Sequence, residues 1–303
     1  MSTPVRARRA GGAEVPPWVL AVGAMFSVQL GSALSVHLIA TVGAGGTAWL
    51  RLTAGAVMFL VIARPPLRSL GRADAPVLLA LGVTTGLQTM AFLAAIGRIP
   101  LGTAVAIEFL GPMTVAVVHS HNRRGVAWAG VAGAGVVLVT EPWRGAVDGP
   151  GIAFAVLAAV GWAAYILLTR RVGQRFEGLT GLALTTPVAA VTAAVVGVPQ
   201  AAGHLTASVV VAGIGLAVLL PVVPYSFELL ALRRMPPAAF GTLMALEPAM
   251  GVLLGLLVLH QRLGAVQVLG ILLVVLAGAA AQRGGPAGGV GAGDAPGTGP
   301  VPF

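Results

Sequence analysis

The sequence predicts an all-α, polytopic membrane protein with ten transmembrane helices in two inverted five-helix repeats. Three observations predict this fold class. Hydrophobic residues make up 57% of the 303-residue chain and charged residues only 9%, whereas soluble domains carry about 25% charged residues. The apolar residues fall into ten runs, and features of the first half recur in the second half 136 residues later.

Each apolar run has roughly the 20 residues that a helix needs to cross a hydrocarbon core of about 30 Å. The runs lie at approximately 18–38, 44–63, 75–96, 100–119, 125–140, 150–170, 178–198, 208–230, 237–259 and 264–282. The first run is longer than the apolar region of a signal peptide, and nine further runs follow it. We therefore expect it to be a retained membrane span.

An internal duplication relates the two halves of the chain. Arg98 and Arg234 lie 136 residues apart, each two residues before a proline, and the same separation relates Pro112 to Pro248. A fixed offset of this kind indicates a repeat. Because each repeat holds five spans, an odd number, the second copy must cross the membrane in the opposite sense to the first.

The repeat divides the chain into five segments. They are a cytoplasmic N-terminal segment 1–16, a first repeat 17–140, an extracytoplasmic linker 141–149, a second repeat 150–283 and a tail 284–303. The tail contains little but Gly, Pro and Ala, so it cannot bury enough apolar surface to offset its ordering entropy, and we expect it to be disordered. With the N-terminus in the cytoplasm, 14 arginines lie on the cytoplasmic side and three on the other. This asymmetry predicts that both termini are cytoplasmic.

Two stretches combine a carboxylate with a proline inside an apolar run, namely Glu108 with Pro112 and Glu247 with Pro248. A charge at the centre of a membrane helix costs roughly 3 kcal/mol. A proline there removes a backbone donor and leaves the carbonyl four residues earlier without its helical partner. Interrupted helices at matching positions of two halves indicate the binding site of a transporter. We therefore predict substrate or proton binding at the two glutamates, with a structural pair that only holds helices together as the alternative, and a structural role for the two prolines.

Further polar side chains lie within the predicted spans. Arg51 lies about two turns inside the second span, where it either binds an anionic group or extends to the outer interface. Glu228 is close in sequence to Arg233, which favours a structural ion pair. The remaining candidates for substrate binding, each of which has ordinary helix packing as its alternative, are Gln29, Gln88, Trp162, Tyr165 and Tyr225.

Several classes of function are disfavoured. The chain has no cysteine, so it forms no disulfide and no thiolate metal site. His119 and His121 alone are weak evidence for a metal, and we predict neither a metal site nor a cofactor. No phosphate-binding loop, nucleophile elbow or zinc-protease motif is present, which disfavours an enzyme or ATP-driven transport by this chain alone. The formal charge of +9 comes from arginines that flank the spans, so we expect no nucleic-acid partner.

Several of these stretches resemble one known family. The motif from Ile99 to Pro112 resembles the fourth helix of the EamA family in the drug/metabolite transporter superfamily. The motifs Gly161–Ile166, Pro224–Arg233 and Phe240–Pro248 resemble the threonine/homoserine exporter branch of that family. The likeness covers residues 18–282. It implies ten helices in two EamA repeats, an inner-membrane location and export of small metabolites.

The resemblance also marks residues and one departure. By motif position it draws attention to Glu108, Tyr225, Glu228 and Glu247. Where the family often reads Leu-Gly-Glu after the ninth helix, this chain reads Leu-His-Gln at 259–261. A role of that family glutamate is therefore not carried over to this chain.

These observations favour a secondary exporter of small metabolites such as threonine or homoserine, working by proton antiport in the inner membrane. A zwitterion needs a cation for its carboxylate, which Arg51 offers, and acceptors for its ammonium, which Glu108 and Glu247 offer. The same two glutamates are the predicted proton carriers. Efflux of drugs or other metabolites, with Trp162 and Tyr165 as main contacts, is the alternative, and a non-transporting membrane scaffold is an alternative of another class. The expected partners are the substrate, the lipid bilayer and protons, and a homodimer is left open.

Overall fold

The computed structural model describes residues 15–65, 71, 73–120, 123–141, 143, 148–176 and 179–284. Within these ranges all regular structure is helical, with no β-strand. The predicted disordered tail beyond residue 284, the N-terminal segment up to residue 14, and His121 lie outside the described residues, as does the side chain of His119. The prediction of an all-helical polytopic protein is confirmed.

Twelve α-helices make up the described part of the chain. They are α1 (Pro17–Ala63), α2 (Ala75–Ile96), α3 (Leu101–Glu108), α4 (Leu110–Ser120), α5 (Arg123–Thr140), α6 (Gly149–Gly173), α7 (Thr180–Ala201), α8 (Ala207–Ala217), α9 (Val223–Leu232), α10 (Pro237–Met244), α11 (Glu247–Leu259) and α12 (Ala265–Gly284). A π-helical turn, Val218–Val222, joins α8 to α9. Seven helical stretches in this part are long and apolar enough to cross a membrane, and α5 and α12 contain shorter apolar stretches.

Helix α1 is bent at Gly43. A straight helix of its 47 residues would be about 70 Å long at 1.5 Å per residue, more than twice the hydrocarbon thickness. Gly43 has φ 73° and ψ 169°, outside the helical region, and glycine adopts such a conformation at little cost. Beyond the bend, Gln200 Oε1 accepts a hydrogen bond of 2.8 Å from the backbone N–H of Gly45. Helix α1 is therefore two arms, residues 17–42 and 44–63.

The two predicted interrupted spans are both broken, and at corresponding positions. Helix α3 ends just before Phe109, and α10 ends just before Ala245, which lies 136 residues further on. Pro100 and Pro236 precede these helices with ψ angles of 141° and 140°. Both breaks come a few residues before the predicted prolines, because Pro112 and Pro248 belong to the first turns of α4 and α11, where a missing N–H is tolerated. The sequence duplication thus has a counterpart in the backbone.

Glycines bring the two interrupted spans into close contact. A Cβ atom on Gly102 of α3 would lie 2.6 Å from Val252 Cγ2 of α11, and one on Gly251 would lie 3.1 Å from Val105 Cγ2. Small residues at such crossings let membrane helices approach closely. The contact packs α3 of the first interrupted span against α11 of the second.

Two ion pairs join opposite ends of the packed helices α2 and α6. Arg98, just after α2, lies 3.7 Å from Asp148, whose Oδ1 also accepts a 2.7 Å hydrogen bond from Gly151 N at the start of α6. At the other end, Arg175 forms an ion pair with Asp74. The segment after α2 therefore lies on the same side of the bundle as the segment before α6, and the segment before α2 lies on the same side as the segment after α6. The predicted topology requires both placements.

Candidate substrate site

Arg51 is enclosed by protein. It lies in the second arm of α1, only 5% of its surface is exposed, and its Nη1 atom has no hydrogen-bond partner in the described part of the chain. It interacts electrostatically with Glu108 and Tyr225. The side chain therefore does not extend to the lipid interface. A buried cationic donor without a hydrogen-bond acceptor costs free energy. A guanidinium nitrogen without a partner is therefore suited to binding an anionic ligand here.

Glu108 is the last residue of α3, at the break of that span, and is 8% exposed. Its Oε1 atom accepts a 3.3 Å hydrogen bond from Gln88 Nε2 of α2. Because α3 ends at this residue, the carboxylate lies at the interruption of the span. Two predicted site residues from different spans, Gln88 and Glu108, are thus in direct contact, and Arg51 acts on the same carboxylate.

Glu247 occupies the corresponding break in the second half. It is the first residue of α11 and is 4% exposed. It interacts electrostatically with Glu108 and Glu228. Gln29 of the first arm of α1 packs against the same helix, with its Oε1 atom 3.5 Å from the position of a Cβ on Gly251. The two broken spans therefore present their carboxylates to one another.

The predicted aromatic residues pack beside these charges. Tyr165 Oη of α6 and Tyr225 Oη of α9 are 3.1 Å apart and share a hydrogen bond. The ring of Tyr225 also lies 6.1 Å from that of Phe59. Trp162 contacts Phe109 edge to face, with ring centroids 6.4 Å apart. Trp162 thus packs against the residue at which the first span breaks.

The structure does not pair Glu228 with Arg233. Glu228 is half-buried and interacts electrostatically with Tyr165, Tyr225 and Glu247, whereas Arg233 is exposed. No ion pair joins these two described side chains. Five residues correspond to about 1.4 turns at 3.6 residues per turn, which places the side chains on different faces of a helix. Glu228 therefore belongs to the buried charge cluster, which we define as Arg51, Glu108, Glu228 and Glu247.

The charge cluster is unbalanced. It holds three carboxylates and one guanidinium within the spans. Burying uncompensated charge in a low-dielectric environment is strongly unfavourable. Protons or the cationic group of a ligand must therefore offset part of the negative charge, which suits a site that binds zwitterions, protons or both.

Gln261 is a residue whose role the sequence did not predict. Its Oε1 atom accepts a 3.0 Å hydrogen bond from the backbone N–H of Leu101, at the start of α3, where Pro100 provides no side-chain cap. The preceding His260 has φ 54°, a conformation that glycine adopts readily, and it stands where the related motif reads Gly. The amide oxygen of Gln261 offers the same kind of acceptor as a glutamate oxygen would.

We expect Gln261→Ala to lower the stability of the protein by about 1 kcal/mol, the usual loss when a helix cap is removed. Gln261→Glu should retain most of that stability because it keeps an acceptor oxygen at the same reach. Thermal unfolding of both variants in detergent measures the difference. Equal losses in the two variants would show that the contact to Leu101 contributes nothing specific.

Apolar helices that are long enough to cross a membrane and are broken around buried charges are typical of polytopic membrane transporters. The described residues contain no group of three side chains able to hold a metal ion.

Comparison with known proteins specifies the family. The sequence pattern of the EamA-like transporter family matches residues 149–280. The threonine/homoserine exporter RhtA of Escherichia coli K12 and that of Salmonella typhimurium LT2 are each 33% identical over 270 residues, covering 87% of this chain and 91% of the relative. A crystal structure of a protein 18% identical to the chain has a TM-score of 0.58 and covers 88% of this chain and 98% of its own, which shows the shared fold. The chain therefore belongs to the EamA-like transporter family, in the branch that includes RhtA.

The predicted family resemblance is confirmed by these relatives. They are transporters rather than enzymes. The chain is thus a multi-pass membrane transporter with a small-molecule substrate.

Proposed function

We propose that this protein is a secondary exporter of small amino acids, with threonine and homoserine as its first candidate substrates. The observation that carries the proposal is the unpaired Nη1 atom of buried Arg51 beside the carboxylates of the charge cluster. An amino acid brings one carboxylate for the guanidinium and one ammonium for the glutamates. A neutral lipophilic drug would bring neither, and would leave the buried charges without partners. The names of the RhtA relatives support the same substrate class.

The proposed coupling is proton antiport in the inner membrane, with Glu108 as the first candidate carrier and Glu247 as the second. Both carboxylates lie at helix breaks and are buried. A carboxylate in such a place can exchange a proton as each side of the membrane opens in turn. An inward flow of protons would then drive substrate outward.

The proposed architecture is ten spans in two inverted repeats, 17–140 and 150–283, joined by an extracytoplasmic linker at 141–149. The two arms of α1 count as two spans, and α3 with α4, α8 with α9, and α10 with α11 each form one. With α2, α5, α6, α7 and α12 the total is ten. The matching breaks at Phe109 and Ala245 support the repeat.

The orientation is tested by cysteine labelling, since the chain has no cysteine of its own. We expect His204→Cys, in the exposed loop between α7 and α8, to react with a membrane-impermeant maleimide in intact cells. Arg234→Cys, in the exposed loop after α9, should react only after permeabilisation. The reverse labelling pattern would place both termini outside the cytoplasm. It would contradict the orientation that the distribution of arginines predicts.

The substrate is tested in cells that express the protein and are loaded with a panel of amino acids. We expect expression to raise the export of threonine and homoserine above that of large apolar amino acids. An Arg51→Met variant inserted at equal level serves as the matched control and should show no increase. Resistance to lipophilic dyes without amino-acid export would instead favour drug efflux, and no effect on either would favour a non-transporting scaffold.

A further inference from the structure

We propose that the ammonium group of the substrate binds between Gln29 Oε1 and the Glu247 carboxylate, where the first arm of α1 meets α11. This assignment rests on the proposed amino-acid substrate and specifies the half of the site opposite to Arg51. It makes Gln29 a specificity-determining residue that selects amino acids over acids without an amino group.

Gln29 has the properties of an unoccupied ligand-binding group. Its side chain is 2% exposed, and its Oε1 atom has no hydrogen-bond partner in the part of the chain that the structure describes. A buried amide oxygen without a donor costs about 1–3 kcal/mol. A ligand that brings an N–H donor to this oxygen would remove that cost.

Gly251 locates the Gln29 oxygen relative to Glu247. Gly251 and Glu247 are four residues apart on α11 and therefore share one face of that helix. The Cα–Cβ bond of a helical residue tilts toward the helix N-terminus, and a Cβ on Gly251 would lie 3.5 Å from Gln29 Oε1. The oxygen thus lies over the first turn of α11, on the face that carries the Glu247 carboxylate.

The acceptors at this place match an ammonium group. An ammonium has three donors and no acceptor. Glu247 provides a buried carboxylate, and Gln29 provides an amide oxygen that has no hydrogen-bond partner in the described chain. The carbonyl of Met244 lacks its usual helical donor because Pro248 has no N–H. Glu108 interacts electrostatically with Arg51 and with Glu247, so it links the two poles of the proposed site.

The test compares L-threonine with its α-hydroxy analogue, 2,3-dihydroxybutanoate, as competitors of threonine counterflow in proteoliposomes. Wild type should prefer threonine. Gln29→Met keeps the length of the side chain but removes the acceptor, and we expect it to weaken threonine binding about 10- to 100-fold, the usual effect of losing a hydrogen bond to a charged group. The α-hydroxyl of the analogue offers Gln29 Oε1 a single neutral donor, so its binding should weaken less than that of threonine, and the preference for threonine should fall in the variant. Gln29→Glu should retain it.

Ser32→Ala is the matched control. Ser32 lies three residues along the same arm of α1, is fully buried, and bonds the Val28 carbonyl of its own helix at 2.9 Å. We expect its threonine preference to equal that of wild type. If Gln29→Met transports threonine with unchanged affinity and preference, the ammonium assignment is overturned while the exporter function stands. If wild type itself moves no amino acid, the proposed function and the ammonium site both fail.

Discussion

Arg51→Lys is expected to bind substrate about 10- to 100-fold more weakly than wild type, the range for losing a hydrogen bond to a charged group. Lysine retains the positive charge that offsets the cluster, so the effect isolates the planar guanidinium. A guanidinium can hold a carboxylate through two parallel hydrogen bonds, whereas an ammonium acts as a point charge on a flexible stem. Titration of the detergent-purified protein with radiolabelled threonine measures the change.

Arg64→Lys provides the matched comparison for this experiment. Arg64 lies thirteen residues after Arg51 and caps the C-terminus of the same helix. Its side chain is exposed and lies outside the charge cluster. The same substitution there should leave affinity unchanged, and both variants should insert normally. An unchanged affinity in Arg51→Lys would mean that the guanidinium holds the helices together and does not contact substrate.

Glu108→Gln is expected to retain substrate exchange but to lose the response to a pH gradient. Glutamine keeps the acceptor oxygen for Gln88 Nε2, so the contact between α2 and α3 survives, while the group that exchanges a proton is removed. With one proton exchanged per substrate and no membrane potential, one pH unit corresponds to about 1.4 kcal/mol, or about a tenfold accumulation. Wild type should accumulate substrate about tenfold on the acidic side for each pH unit, and Glu108→Gln should show no accumulation.

The Glu247→Gln variant distinguishes the roles of the two glutamates in substrate binding and proton coupling. If Glu247 binds the substrate ammonium, its glutamine variant should lose affinity for threonine, while its accumulation ratio at saturating substrate should persist. If instead Glu247→Gln loses the pH response and Glu108→Gln keeps it, the proton carrier is Glu247. A full response to the pH step in both variants would remove both residues from the coupling mechanism.

Much of the fold was predictable because the bilayer imposes the length of each apolar run. The predicted span 75–96 has the bounds of α2, and the run 237–259 has the outer bounds of α10 and α11. The duplication of Pro112 and Pro248 also indicated where the helices break. It did not give the exact residue, because a proline constrains the turn before it and the chain can absorb the interruption anywhere in that turn.

The candidate site was predictable as a set of residues but not as a set of contacts. Intramembrane polar residues are few, so Arg51, Glu108 and Gln88 could be identified from their rarity. Their pairing depends on which helices pack together, which a single sequence does not state. Gln261 shows the same limit, since its hydrogen bond to Leu101 joins positions 160 residues apart. The unpaired Glu228 shows how sequence proximity to an arginine misleads when the spacing does not match a helical turn.

Threonine counterflow and pH-driven accumulation in proteoliposomes of the purified wild-type protein test whether the protein exchanges amino acids for protons. Vesicles are preloaded with unlabelled threonine, diluted into labelled threonine, and then examined again with an imposed pH step and the membrane potential clamped. The account predicts saturable counterflow without a gradient, and accumulation of threonine in the more acidic compartment when the step is applied. Movement of lipophilic dyes alone, or no threonine counterflow in protein that binds and folds normally, would contradict it.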